Sequence, residues 1–531
     1  MKFFNAAGPS AEGQHYMIDP LTRIDLMEIE SLIEQQRYFI LHAPRQTGKT
    51  TSLLALMHYL NAQGTFCALY ANIETAQTAR GDVLRGMKSI SLAIADAASL
   101  YLNEPRLLEW RAKLLAEGAG GDDLVRGLLA KWAQACDRPI VLMLDEVDAL
   151  VGDTLISLLR QIRSGYAQRP AAFPQTMILC GVRDVRDYRI HTANHEVITG
   201  GSAFNIKAVS LRLGNLSREE SEALWRQHQD ATGQAIDPAI YPELWRDTAG
   251  QPWLVNALGH EATWNERTAR DRATPITLER YRAARERLIQ SRATHLDQLT
   301  DKLREPRVHG VVAALLAGET ADIDVASDDQ QYVEDLGLIV TRPQLRIANR
   351  IYQEIVPREL TWIAQTRIAH EQSWYLDAQR RLQMKKLLAA FQQFFREHSD
   401  AWLEKFDYKE AGPQLLLQAF LQRIVNGGGR IDREYGLGRK RTDLLLVWPL
   451  DEAQGYLGPV QRIVIELKIL HKGLEATLQH GLAQVADYAD RCGADESHLI
   501  LFERRAEIPW DERIWQRDER VGQRSVGVWG A

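Results

Sequence analysis

The chain has 531 residues, of which 45% are hydrophobic and 25% charged, with a formal net charge of -6. That length suits roughly three domains, each able to bury its own core, and the acidic balance excludes a protein that coats nucleic acid through bulk positive charge, leaving only a local basic groove. Four cysteines, Cys67, Cys136, Cys180 and Cys492, lie far apart without paired spacing, so neither a zinc site nor a disulfide framework is expected; the start of the chain is too short and polar for a signal peptide, and no apolar run reaches the ~18 residues of a membrane span, so a cytoplasmic location is expected.

In chain order, Tyr38–Leu41 is a short apolar run that predicts a buried strand. Leu53, Leu54, Met57 and Leu60 then fall on one helical face. Phe66–Tyr70, Ile140–Leu144 and Thr176–Cys180 predict three more strands, and the alternation of strands with helices predicts a parallel sheet covered by helices. From Asn215 the pattern turns helical, opened by a capping box over Ser217–Glu220 and interrupted at Gly250-Gln251-Pro252. Glu305–Ile355 reads as helix, helix, strand, Pro-containing turn and strand, the order of a winged helix. A helical connector with Trp362, Trp374, Arg380 and Arg381 follows, then a helix over Gln414–Val425 that the glycines of Asn426–Gly429 close. Arg430–Tyr435, Asp443–Trp448, Arg462–Leu470 and His498–Phe502 read as strands, with a helix over Leu474–Arg491.

Ala43, Pro44, Arg45, Gln46, Thr47, Gly48, Lys49 and Thr50 form a Walker A loop between a strand and a helix, and Thr51 continues into that helix. Triphosphates need many donors at once, which a loop of backbone N–H groups and the positive end of a helix supply together. Lys49 is placed for the β and γ phosphates and the Thr50 hydroxyl for Mg²⁺. Ala43 stands where the usual pattern has Gly. Ile140–Glu146 supplies a Walker B: Asp145 ends a buried strand where it can hold the Mg²⁺ shell, and Glu146 is placed to polarise the attacking water. The plain alternative is a basic turn at a helix start, with Lys49 structural.

These residues resemble the AAA+ and STAND group of P-loop ATPases over about residues 15 to 290. Gly250-Gln251-Pro252 looks like the GxP element of the STAND helical lid, which implies a lid that closes on nucleotide. By the same resemblance His15, Tyr16 and Arg23 sit on the adenine side, though His15-Tyr16 is equally an ordinary packing pair. Arg183 and Arg186 follow the fourth strand, either as γ-phosphate sensors or as surface partners of Asp184 and Asp187; Cys180-Gly181 stands where a polar sensor is common. In the winged-helix region the candidate recognition helix, Asp328–Asp335, has four acids and no Lys or Arg. It would oppose phosphate charge, which favours domain packing over DNA reading and leaves only the wing, near Arg342, Arg346 and Arg350, for DNA.

In the C-terminal third, Asp443 opens one strand and Arg462–Leu470 forms another, where period-two alternation turns Glu466 and Lys468 to one face and Ile463, Ile465, Leu467 and Ile469 to the other. Two carboxylates beside a lysine suit metal-assisted phosphodiester hydrolysis, with Asp443 and Glu466 on Mg²⁺ and Lys468 on the phosphate or water. The alternative is a simple ion pair on an exposed sheet face. The pattern resembles the PD-(D/E)XK nuclease fold over about residues 380 to 515, with Thr442 in place of the usual Pro. The resemblance adds Glu434 as a further acidic metal ligand, Gln484 and Tyr488 on the following helix, and the basic run Arg439-Lys440-Arg441 with Arg430 and Arg433 as a phosphate-backbone track.

The expected fold is α/β: a P-loop parallel-sheet ATPase domain over residues 1–212, a helical lid over 213–298, a winged-helix-like module over 299–362, and a helical connector with a PD-(D/E)XK nuclease-like domain over 363–531. The expected cofactors are ATP and Mg²⁺ and the expected partner is nucleic acid, DNA in particular, with homo-oligomer formation as a further expectation. One reading is an ATP-hydrolysing switch that gates a Mg²⁺-dependent nuclease, in defence against mobile elements. The other is an ATP-dependent regulatory switch that binds protein or DNA through an inactive nuclease-like domain.

Overall fold

The structure is a computed structural model. It describes residues 2–182, 189–191, 197–199, 206–291, 301–303, 305–316, 327–342, 345–360, 375–403, 412–425, 429–435, 442–470, 473–503, 505 and 507–531. Packing divides the chain into two units: Met1–Gly233 with Gly250–Ala257 and Asp335–Gly337, and Gln234–Ala249 with Leu258–Glu334 and Leu338–Ala531.

The first unit runs α1 (Leu26–Glu34), β1 (Tyr38–His42), α2 (Lys49–Gln63), β2 (Cys67–Asn72), α3 (Val83–Leu102), α4 (Arg106–Ala116), α5 (Leu124–Ala135), β3 (Ile140–Asp145), α6 (Gly152–Gly165) and β4 (Thr176–Gly181). A short pair, β5 (Arg189–His191) and β6 (Val197–Thr199), precedes β7 (Lys207–Arg212) and α7 (Arg218–Thr232). The main sheet is five-stranded and parallel, in the order β2-β3-β4-β1-β7. A parallel sheet is covered on both faces, so its strands read as unbroken apolar runs. Alternation along β1 sends Tyr38 and Ile40 into one core with α3, α5 and α6, and Phe39 and Leu41 into the other with α1 and α2. β4 comes after β1 and β3 in sequence but lies between them. The ends of β1 and β3 therefore stand two strand spacings apart, roughly 10 Å. The capping box forms at the start of α7: Ser217 Oγ accepts from Glu220 N at 3.1 Å and Glu220 Oε2 accepts from Ser217 N at 2.7 Å.

Helices α8 (Ile240–Thr248), α9 (Pro252–His260) and α10 (Leu278–Gln290) follow, and the first residues of α9 belong to the first unit. The second unit continues through α11 (Pro306–Leu316), α12 (Ser327–Asp335), the antiparallel pair β8 (Ile339–Val340) and β9 (Arg346–Ile347), and α13 (Arg350–Leu360). This is the expected order of helix, helix and two strands; Pro343, in the turn, lies outside the described residues, as do Trp362 and Trp374. The acids of α12 are met from α11: Arg307 Nε reaches Asp329 Oδ1 at 2.5 Å and the guanidinium lies 4.5 Å from the Tyr332 ring centroid. Arg350, expected on the wing, lies 3.7 Å from Glu243 and 3.8 Å from Asp247.

After α14 (Met384–Leu403) and α15 (Gly412–Val425) come β10 (Arg430–Tyr435), β11 (Thr442–Pro449), β12 (Val460–Ile469), α16 (Leu474–Cys492), β13 (Glu496–Phe502), β14 (Trp515–Val521) and β15 (Arg524–Gly530). They build a six-stranded sheet in the order β10-β11-β12-β13-β15-β14. β10, β11 and β12 pair antiparallel, β13 and β15 continue parallel to β12, and β14 closes the edge antiparallel. Ile463, Ile465 and Leu467 enter the core with α14 and α15, while Val464 joins the core under α16. Sequence reading missed β7 and the β14–β15 hairpin. Charged and polar residues interrupt the apolar residues of the edge strands β7 and β14, and glycines interrupt β15, so none shows the unbroken apolar run that marks a central strand.

Candidate functional site

The loop between β1 and α2 needs one residue that can turn back without a side chain, and Gly48 does this at φ +93°. A Cβ there would stand 2.6 Å from Arg23 Nη1, so the glycine also makes room for the guanidinium that braces the loop. Arg23 donates from Nη1 to Thr47 O and from Nη2 to Gly214 O, both at 2.6 Å. Burial lowers Arg23 to about 10, with Glu220 opposing. Inside the loop, Thr47 Oγ1 donates to Pro44 O at 2.7 Å. The buried Lys49 ammonium donates to Ala43 O at 2.9 Å and to Pro44 O at 3.0 Å. Arg45 and Gln46 are exposed at the tip, Gln46 at φ +58°. Ser10 N donates to Thr51 Oγ1 at 3.2 Å.

Asp145 closes β3 and is fully buried. Its Oδ2 accepts from Thr50 Oγ1 at 2.7 Å and from Tyr70 OH at 3.1 Å, and its Oδ1 accepts from Glu146 N at 2.9 Å. Burial and the neighbouring carboxylate push the Tyr70 phenol up. Glu146 sits at φ +61°, directly after the strand. Burial, then Asp148 and Asp145, raise its carboxyl to about 6, against Lys49 and Arg45. Tyr70 was not anticipated from sequence. It reaches Asp145 only because β2 pairs beside β3, with Asn72 opposite Asp145.

Beside the loop, on the Thr51 and Ser52 side of α2, a cavity is lined by Tyr16, Ile18, Arg23, Leu216 and Asn256 among others. Tyr16 is buried against Phe4 and His228, while His15 Nδ1 accepts from Ala11 N at 2.8 Å and is no part of this lining. Asn256 Nδ2 donates to Pro252 O at 2.9 Å, which orients the amide. Among the described residues its Oδ1 is buried without a hydrogen-bond partner. Gln251 bridges two elements: Nε2 donates to Gln46 O at 3.4 Å and Oε1 accepts from Leu254 N at 2.6 Å. Arg183 and Arg186 lie outside the described residues.

In the six-stranded sheet, β11 brings Asp443 opposite Glu434 of β10 and opposite Glu466 of β12, so the backbones of these three acids share one rung. The side chains of Glu434, Asp443 and Arg433 are outside the described set, as are residues Arg439, Lys440 and Arg441. Lys468 Nζ and Glu466 Oε1 pair at 2.5 Å, and both residues are buried under α16, not on an exposed face. Gln484 on α16 is buried; its Nε2 meets His480 Nε2 at 2.7 Å and, among the described residues, its Oε1 has no hydrogen-bond partner. Tyr488, one turn on, is buried too. Arg430 stacks 5.1 Å from the Tyr456 ring centroid. Among the described residues no group of three or more His, Cys, Asp or Glu is placed to hold a metal ion, and no helix is long and apolar enough to cross a membrane.

No protein-family model matches the chain, and no curated protein matches it. Among solved structures, the Walker-type ATPase of Pyrococcus abyssi is similar at 12% identity and TM-score 0.45, over 66% of this chain and 99% of its own. Cdc6p of Pyrobaculum aerophilum is similar at 14% identity and TM-score 0.35, over 65% and 93%. The RuvB Holliday junction branch migration motor of Thermotoga maritima is similar at 15% identity and TM-score 0.32, over 62% and 92%.

Proposed function

We propose that this chain is an ATP-operated regulatory switch of the AAA+/STAND type, whose C-terminal PD-(D/E)XK-like sheet binds protein or DNA without cutting it. The observation that carries the nucleotide half is the contact between Thr50 and Asp145 at 2.7 Å, beside a lysine held inside its own loop. The residues fit a magnesium-bound triphosphate. Backbone N–H groups from Gly48 to Thr51 open α2 toward the loop and would hold the β and γ phosphates together with Lys49. Thr50 and Asp145 would share the Mg²⁺ shell, and the ion supplies charge neutralisation on the phosphates. Glu146 would orient the water. Pro44, Arg45, Gln46 and Thr47 shape the loop, Ala43 accepts from Lys49, and Thr51 ties α2 to the N-terminal segment through Ser10. Gln251, bonded to the loop carbonyl of Gln46, gives the lid element a direct sense of loop position. Lys49→Ala should abolish binding of a fluorescent ATP analogue while leaving the circular dichroism spectrum unchanged; equal binding by wild type and variant would overturn the assignment.

For the C-terminal sheet, the regulatory reading is supported by Lys468, whose ammonium pairs with the buried Glu466 carboxylate at 2.5 Å. One observation favours a second reading, a Mg²⁺-dependent nuclease gated by the switch: the shared rung of Glu434, Asp443 and Glu466. There Asp443, Glu466 and Glu434 would be the metal ligands, with Lys468 and Gln484 beside them. Supercoiled plasmid DNA incubated with Mg²⁺, with and without ATP, separates the two. Intact plasmid with retained DNA or protein binding supports the switch. Nicking that disappears in Asp443→Ala supports the nuclease.

A further inference from the structure

Tyr70 brings a hydroxyl into the nucleotide site from β2, a strand that carries none of the Walker residues. Period-two alternation puts it on the same face as Asn72, the residue opposite Asp145 in the β2–β3 ladder. That face packs on α2, where Tyr70 N donates to Met57 Sδ at 3.3 Å, and the ring meets Tyr101 edge-on at 6.4 Å. Only 6% of the residue is exposed, and its hydroxyl ends 3.1 Å from Asp145 Oδ2. A carboxylate has about four acceptor positions, two on each oxygen. At Asp145 at least three are taken: Thr50 Oγ1 and Tyr70 OH both donate to Oδ2, and Glu146 N donates to Oδ1. Oδ2 is therefore full, and an ion is left with Oδ1 alone. Burial and then Asp145 push the Tyr70 phenol up, so it stays a protonated donor at neutral pH. One carboxylate oxygen suits Mg²⁺ better than Ca²⁺. Mg²⁺ dehydrates reluctantly and keeps several waters, whereas Ca²⁺ takes about six to eight oxygens and often both oxygens of a carboxylate.

We propose, on the reading of this site as one for a magnesium-bound triphosphate, that Tyr70 is a positioning residue that sets its ion preference: by filling Oδ2 of Asp145 it favours Mg²⁺ over Ca²⁺. Thr50 cannot do this alone, since its hydroxyl fills only one position of Oδ2. Without the Tyr70 hydroxyl a position on Oδ2 opens beside the one left on Oδ1, and the carboxylate can offer both oxygens to the larger ion. Tyr70→Phe makes that change by removing one oxygen while the ring keeps its apolar packing.

The full chain is titrated with a fluorescent ATP analogue in Mg²⁺, in Ca²⁺ and in EDTA, with circular dichroism in parallel. Wild type should bind about 10-fold or more tightly in Mg²⁺ than in Ca²⁺, the size of effect that a group orienting a metal ligand carries. Tyr70→Phe should keep its spectrum and its binding in EDTA. It should weaken in Mg²⁺ by about 10-fold and hold or gain in Ca²⁺, so that the preference disappears. Tyr70→Leu, a second variant without the hydroxyl, should lose the preference in the same way. A merely structural Tyr70 would weaken binding equally in all three media. That result, an unchanged ratio in both variants, or no Mg²⁺ preference in wild type overturns the proposal. Wild type that binds no analogue in any medium brings down the nucleotide reading itself, and the proposal with it.

Discussion

Thr50 and Asp145, 95 positions apart, are joined by a hydroxyl-to-carboxylate hydrogen bond of 2.7 Å from the first turn of α2 to the end of β3. Thr50→Ala removes one of the donors on a fully buried carboxylate, and Tyr70 and the Glu146 N–H remain. The stability loss is therefore modest, about 1 kcal/mol. The binding loss is larger: a group that shapes a metal shell is worth about 10–100-fold in affinity. Fluorescent ATP titrations should show Thr50→Ala weakened by that factor with Mg²⁺ and near wild type with EDTA. Equal weakening in both would reduce Thr50 to a loop-shaping residue.

Glu146 titrates at about 6, above its usual 4.5, chiefly through burial. A carboxyl raised on folding favours the folded state while protonated. Its contribution is complete below pH 4.5 and is lost as pH rises through about 6. Glu146→Gln escapes that loss, so in urea melts at pH 8 it should be more stable than wild type by on the order of 1–2 kcal/mol, with the gap closing toward pH 5. Hydrolysis runs the other way. Wild-type turnover should fall as Glu146 protonates, and Glu146→Gln should bind ATP yet hydrolyse none at any pH.

Asn256 offers a buried oxygen that meets no donor among the described residues, fixed in orientation by its Nδ2 bond to Pro252 O. An adenine presents an exocyclic amine to such an acceptor, whereas the equivalent position of guanine is a carbonyl that would leave both oxygens unpaired. A buried unpaired polar atom costs about 1–3 kcal/mol, so competition assays should show wild type preferring ATP over GTP by about 5-fold or more. Asn256→Ala should narrow that preference. No preference in wild type would remove Asn256 from base recognition.

The phosphate loop was legible because its chemistry is local: the strand, Gly48, Lys49 and Thr50 are consecutive, and Asp145 marks itself by ending an apolar run. The Glu466–Lys468 face was legible for a similar reason, since alternation along one strand needs no partner. Sequence could not say that α16 buries this pair. Tyr70 and Asn256 as site residues, and the brace that Arg23 forms between Thr47 and Gly214, were out of reach for another reason. Each acts across 20 residues or more, through strand order or helix docking that no local pattern encodes.

Asp247 on α8 illustrates the buried polar order of the second unit. It is fully buried and accepts from Tyr281 OH at 2.9 Å and from Arg285 Nη1 at 3.1 Å, both on α10, with Arg350 of α13 at 3.8 Å. One turn earlier Glu243 meets Arg282 at 3.1 Å and Arg246 at 3.3 Å, with Arg350 at 3.7 Å. Burial pushes Glu243 up, but Arg282, Arg246 and Arg350 outweigh it and hold the carboxyl below its usual value. A depressed carboxyl stabilises the fold above pH 4.5 and loses that contribution as pH falls. Glu243→Gln should therefore flatten the acid side of the stability curve. Asp247→Ala leaves Arg285 buried without its nearest carboxylate and should cost about 3–5 kcal/mol in urea melts followed by tryptophan fluorescence. Tyr281→Phe removes only a hydroxyl donor and should cost about 1 kcal/mol. If Asp247→Ala costs no more than Tyr281→Phe, the helices α8, α10 and α13 are held by apolar packing, and the charges merely line the seam.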